Sequence, residues 1–222
     1  MKKFSIILSS LLLILILTTF NPNNLNQDFH ILKIKEVEIK NIQILDKNKM
    51  KNLFFTEFFD TGLIFLDKKK IKKITNNNKL IDYIEFKKIY PSKLVVNIFE
   101  KKIIAIINYK QNKFYLTENG EEVLYFQSPM LKELPNIFGR QKNFLDLYIT
   151  LKDIGFPTQK IKSFYYFEIG RWDIILKNNK VIKLPIKDFS KSLKNFMDFN
   201  QKINFEKYSI FDYRIKEQLI LK

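Results

Sequence analysis

Acid–base or nucleophilic chemistry needs side chains that converge, and this chain offers few candidates. His30 is the one histidine in 222 residues, so neither a Ser-His-Asp triad nor a histidine metal cluster can be assembled around it. The absence of cysteine removes disulfides and thiolate metal sites and leaves the redox compartment open. Two carboxylate pairs, Glu121-Glu122 and Glu57 with Asp60, fall in an expected turn and at an expected helix end, with nothing converging on them. The five glycines are dispersed and form no phosphate-cradling loop. No catalytic residue, metal site or cofactor is therefore expected.

The composition suits one large or two small domains, with 46% apolar residues to fill their cores. A formal charge of +16 invites a nucleic-acid reading. The lysines, however, are scattered through every segment instead of being gathered on one stripe. Three arginines (Arg140, Arg171, Arg214), one alanine (Ala105), 33 isoleucines and 21 asparagines mark a global skew of the kind AT-rich coding produces. Attraction to anionic lipid or to acidic partners uses the same field more readily, and no nucleic-acid partner is expected.

Phe4 to Phe20 is uncharged and follows Lys2-Lys3. At 1.5 Å per residue it reaches roughly 26 Å, the lower limit for a membrane span. Ile6–Leu17 also has the length of a signal-peptide core, but Thr18-Thr19-Phe20-Asn21 offers no small-x-small cleavage site. An uncleaved anchor is the favoured expectation, with 1–3 as a cytoplasmic tail, 4–20 as the transmembrane helix and 21–29 as a polar linker. The charge asymmetry puts the N-terminus in the cytoplasm and the rest outside the inner membrane.

Beyond the linker, Ile31–Leu45 reads as extended, and Asp46 can cap a helix bearing Met50, Leu53, Phe54 and Phe58. Asp67 can cap a second helix, with Ile71 and Ile74 as its apolar face and Asn76–Asn78 as its end. Two strands follow over Leu80–Ile89 and Lys93–Phe99, joined at Tyr90-Pro91. Past Glu100 short strands dominate: Ile103–Asn108, Lys113–Thr117, a tight turn at Asn119-Gly120, then Glu122–Phe126. Helical spacing covers 141–154, stopped by Gly155 and Pro157. Ser163–Glu168, Arg171–Lys177 and Val181–Leu184 are strands, and Asp188 can cap a helix with Phe189, Leu193, Phe196 and Met197. Tyr208–Leu221 is a last extended stretch.

The order strand–helix–helix–strand–strand, closed by Phe86–Ala105 (FKKIYPSKLVVNIFEKKIIA), resembles a POTRA domain. Further patches, FYLTENGEEV (114–123), LPNIFG (134–139), GRWDIILKNNKVIKLP (170–185) and FDYR (211–214), occur in the order of the FtsQ/DivIB family of bacterial cell-division proteins. Departures are Ile103 at a usual proline, Lys101 at a usual arginine and Asn179 at a usual glycine. The resemblance implies an α+β chain, with a single transmembrane helix, a POTRA domain over 30–100, and a mainly antiparallel β domain with two helices over 101–222.

It also implies a non-catalytic division scaffold at the septum that binds bitopic FtsB-like and FtsL-like proteins, with upstream factors recruited through the POTRA face. In the family the last strands form an open edge to which a partner adds a strand. Here that edge is Phe211–Leu221, with Phe211, Tyr213 and Ile215 on one face and Asp212, Arg214 and Lys216 on the other. Arg171 and Arg214 fall on family motif positions, and as rare arginines they suit planar contacts to partner carboxylates. The alternative for Arg171 is a pair with Asp173, with Trp172 filling the core. Other readings of the whole chain are an anchored basic domain holding anionic lipid or cell-wall polymer, and an outer-membrane assembly component. The latter needs a barrel that 120 or so residues with two helical patterns cannot supply.

Overall fold

The computed structural model describes residues 8–14, 32–59, 61–64, 66–139, 143–202 and 205–222. Residues 8–14 are helical, and Leu8, Leu11, Leu12, Leu13 and Ile14 are exposed. The remainder of the expected 4–20 helix, the linker and His30 lie outside the described residues. No helix among the described residues is long and apolar enough to cross a membrane. The chain divides into two compact units, Met1–Phe99 and Glu100–Lys222.

The N-terminal unit contains β1 (Glu36–Lys40), α1 (Lys47–Phe58), α2 (Lys68–Asn77), β2 (Ile81–Ile89) and β3 (Lys93–Glu100). Asp46 and Asp67 both cap as expected. Each has extended backbone, and their carboxylates accept from the Lys49 and Lys69 N–H groups at 2.9 and 2.8 Å. The sheet order is β1-β3-β2, with β1 parallel to β3 through Val37↔Leu94 and Ile39↔Val96. Alternation then puts Val37, Ile39, Leu94, Val96 and Ile98 into one core with Met50, Phe54, Phe58 and Ile74. The extended run expected over Ile31–Leu45 shrinks to five residues, because Asn41 takes a left-handed φ of +59° that ends β1.

Among the described residues the C-terminal unit is one nine-stranded sheet in the order β12-β11-β10-β9-β8-β7-β4-β5-β6. Its strands are β4 (Ile103–Tyr109), β5 (Asn112–Thr117), β6 (Glu122–Leu124), β7 (Asn136–Phe138), β8 (Ile161–Phe167), β9 (Arg171–Leu176), β10 (Val181–Lys183), β11 (Ile210–Asp212) and β12 (Ile220–Leu221). Two helices, α3 (Phe144–Asp153) and α4 (Phe189–Lys202), join them. The sheet is mixed, and antiparallel pairs are in the majority. β4 with β7, β7 with β8, and β10 with β11 are parallel. The helical connections account for two of these, since α3 carries the chain from β7 back to the start of β8, and α4 does so from β10 to β11.

Both helices bury their apolar stripes in a single core. Phe144, Leu147 and Leu151 of α3 and Leu193 and Phe196 of α4 meet Phe164, Trp172, Ile174, Ile182 and Phe211 from the sheet. Gly155, at φ +70°, ends α3 as expected: its N–H reaches Lys152 O, and Phe156 N–H reaches Leu151 O at 2.8 Å. Gly120 is demanded by its turn, because at φ +83° a Cβ there would sit 2.7 Å from Leu145 Cδ1. β7 was not foreseen as a strand, since three residues carry no readable alternation.

Candidate functional site

The C-terminal end of the large sheet is built from β9 outward. In RWDIIL, Trp172, Ile174 and Leu176 point into the core, so Arg171 and Asp173 share the opposite face. The hairpin from β9 turns at Asn178-Asn179, with Asn179 at φ +64° in the role usually given to glycine. β10 follows in register, Lys183 opposite Asp173. After α4, β11 pairs with the other side of β10 so that Lys183 stands opposite Asp212, and Asp212 is in turn opposite Ile220 of β12. One row thus runs across four strands: Asp173, Lys183, Asp212, Ile220.

Two arginines close on this row. Arg171 Nε donates to Asp173 Oδ1 at 3.2 Å, and its guanidinium lies 4.2 Å from the Phe167 ring centroid. Arg214 donates from Nε and Nη2 to both oxygens of Asp212, at 2.8, 3.0 and 2.5 Å. The two buried carboxylates therefore differ. Arg214 beside Asp212 holds its carboxyl below the ordinary range. Burial pushes Asp173 up, outweighing the opposing pull of Arg171.

These shifts have opposite signs for stability. Asp212 contributes stability that is present above the unfolded pKa and is lost as pH falls through its depressed value. Asp173 binds its proton more tightly when folded, so stability falls as pH rises from the unfolded pKa through the raised value. In urea titrations at neutral pH, Asp212→Asn is expected to lower the midpoint and flatten the acid limb. Asp173→Asn is expected to leave the midpoint unchanged or raise it. Equal losses from both substitutions would contradict this assignment.

The expected single strand over Phe211–Leu221 is corrected. Arg214 N–H bonds to Asp212 Oδ1 at 3.1 Å, Glu217 takes φ +62°, and Gln218 N–H reaches Ile215 O at 3.2 Å. The chain therefore reverses after β11, as side-chain turns of Asp direct. Phe211 is fully buried and packs edge-on against Phe196 at 4.9 Å. Tyr213 is also buried, its hydroxyl donating to Asn195 Oδ1 at 3.0 Å, and burial pushes that hydroxyl's pKa up. Neither side chain faces out of the unit. Ile215 and Lys216 are exposed on the connecting loop, so Ile215 does not continue the Phe211–Tyr213 face.

The edge itself is β12. Ile210 and Lys222 exchange backbone hydrogen bonds at 3.0 and 3.1 Å. In an antiparallel ladder the intervening Leu221 must then direct its N–H and C=O away from β11. Among the described residues no strand lies beyond β12. Lys180 secures the approach to this edge: its buried Nζ donates to Tyr208 O at 2.8 Å and lies 3.6 Å from Glu206 Oε2. Lys180 carried no signal in a lysine-rich chain. Asp173 and Asp212 were legible only as alternating neighbours of the two arginines.

The family described as "Cell division protein FtsQ/DivIB, C-terminal" matches residues 105–214, almost all of the C-terminal unit. The FtsQ protein of Rickettsia conorii is 28% identical over 160 residues, covering 69% of this chain and 60% of its own length. That of Rickettsia typhi is 25% identical over 194 residues, covering 83% and 67% respectively. The chain thus spans less than two thirds of the R. conorii protein. A solved extracytoplasmic domain of DivIB from Geobacillus stearothermophilus aligns over 48% of this chain and 99% of its own, at 16% identity and a TM-score of 0.34, too low to add to the assignment.

Fold and sequence likeness together define a mixed α+β bacterial cell-division protein. The chain belongs to the FtsQ/DivIB family.

Proposed function

We propose that this protein is a non-catalytic scaffold of the division septum that captures bitopic, FtsB-like and FtsL-like proteins by adding their segments as a strand to β12. The observation that carries the reading is the outward-facing backbone of Leu221 on an edge that no described strand covers. An edge of this kind supplies main-chain hydrogen bonds, while alternate side chains select the partner. Ile220, Arg214, Ile215 and Lys216 are the exposed or half-exposed groups around it, and Arg171 marks the far end of the charged row. Phe211 and Tyr213 support the edge from beneath.

The rest of the chain fits the same role. The segment 4–20 anchors it in the inner membrane with the N-terminus cytoplasmic, and the units that follow work outside that membrane. The N-terminal unit, with its β1-β3-β2 sheet and two helices, serves as a POTRA domain for upstream division factors.

Salt dependence tests the docking mode. Full-length protein in nanodiscs is mixed with the extracytoplasmic segments of the organism's own FtsB-like and FtsL-like proteins. Affinity should fall less than about threefold between physiological and about 0.5 M salt, because ladder bonds and packing are screened far less than surface charge. A collapse of a hundredfold or more would replace strand addition with a purely electrostatic contact.

A further inference from the structure

Among the lysines of the N-terminal unit, those of α2 form a distinct set. Its sequence KKKIKKITNN contains five lysines and no acidic residue. At 100° per residue Lys68, Lys69, Lys72 and Lys73 fall within an arc of about 140°, opposite Ile71 and Ile74, which face the core. All four are exposed, and none forms an ion pair with a described residue. Several other lysines of the unit are engaged: Lys93 bridges Glu36 and Glu38 at 2.8 Å, Lys70 bonds to Glu57 O, and Lys88 to Ile64 O.

The arrangement works against the helix that carries it. Cations in a first turn oppose the helix dipole, and the like-charged pairs Lys68/Lys72 and Lys69/Lys73 repel at i, i+4. An anionic surface laid against this face would relieve both. Exposed apolar side chains accompany it, since Phe59 and Ile64 lie on the connection leading into α2 and are 53% and 44% exposed.

The fold also binds the entering chain to the connection that leads into α2. Leu63 N–H donates to Leu32 O, and Ile34 N–H to Thr61 O, both at 2.9 Å, so the entering segment is bound to the α1–α2 connection. Residues 21–31 separate Leu32 from the apolar segment, and eleven residues can span at most about 40 Å. A tether of that reach holds the lysine face at roughly millimolar effective concentration near the headgroups, enough for a weak electrostatic contact to be occupied.

We propose that the lysine face of α2, with Phe59 and Ile64, docks on the anionic phospholipid bilayer that holds residues 4–20. The proposal rests on the anchor reading above. Because the chain has no cysteine, Asn76→Cys places a single dye on the lysine arc without removing a lysine. The labelled full-length chain is inserted into nanodiscs containing a headgroup nitroxide lipid, either zwitterionic or with about 30% phosphatidylglycerol.

Quenching is expected to be at least twofold greater in the anionic discs. It should fall to the zwitterionic level in about 0.5 M salt and in the Lys68, Lys69, Lys72, Lys73→Gln variant. Equal quenching in the two lipids, a comparison that leaves every lysine in place, overturns the proposal. Quenching that survives salt overturns the electrostatic mode. A chain that fails to float with the discs removes the anchor reading, and this proposal with it.

Discussion

Leu221→Pro is expected to weaken capture of an added strand by about 30- to 100-fold while leaving the protein folded. The asymmetry follows from ladder geometry. Ile210 and Lys222 exchange the inward hydrogen bonds, so Leu221 N–H takes no part in the β11–β12 pairing. Proline is tolerated where a strand's N–H faces solvent, and the extended conformation it imposes on Ile220 is the one already present. The substitution removes a donor and projects a ring toward an incoming backbone, a loss of roughly 2–3 kcal/mol in binding.

Leu221 also packs partly against the core, so Leu221→Ala is the matched control. It should weaken capture only a few-fold. Titration calorimetry with the partner segment, alongside circular dichroism of each variant, separates the outcomes. Equal binding by Leu221→Pro and Leu221→Ala would move the docking site away from β12.

Trp172→Ala has the largest expected effect on stability. The indole is 5% exposed and surrounded by Phe144, Phe164 and Tyr166, with ring centroids at 5.6, 6.4 and 4.9 Å. These rings come from α3 and β8, so the hole cannot close without moving a helix. Truncating a buried Trp in this way costs about 3–5 kcal/mol, a large share of the 5–15 kcal/mol typical of a folded domain. The urea midpoint should drop by roughly 1–3 M.

Capture through β12 should fall in parallel, because Trp172 O accepts the Leu184 N–H at 3.1 Å and so ties the strand next to it. Trp172→Phe should recover more than half of the loss. Since Trp172 is the one tryptophan, unfolding is followed by circular dichroism. A midpoint unchanged in Trp172→Ala would refute the packing account.

Much of the fold was legible because its signals are local. Asp46 and Asp67 announce helix starts through a bond spanning two or three residues. Phe144, Leu147, Tyr148 and Leu151 repeat at the helical period and are all buried. Trp172 and Ile174 alternate with Arg171 and Asp173, and the pleat separates them as that alternation requires. The alternative reading of Arg171, a pair with Asp173, is the one the structure shows, and it lies within the same short stretch.

The edge was misread for an equally physical reason. FDYRIKEQLIL has apolar residues at both alternating and irregular spacings, and alternation alone made it one strand. The turn that splits it depends on Asp212 meeting Arg214 and on a left-handed Glu217, neither of which leaves a periodic trace. With the split, Phe211 and Tyr213 became supports and β12 became the edge.

By itself the sequence determined the helix caps at Asp46 and Asp67, the tight turn at Asn119-Gly120 and the two amphipathic helices of the large sheet. Each is set by interactions reaching no further than about four residues along the chain. Asp188, expected to cap α4, instead takes a left-handed φ of +57°. Tertiary structure alone decided the order of the nine strands, the parallel pairing through α3 and α4, and the row from Asp173 through Lys183 and Asp212 to Ile220. Those strand pairings join residues up to 30 positions apart in sequence, as Ile106 with Asn136, and only burial of both helices on one face of the sheet brings them into register.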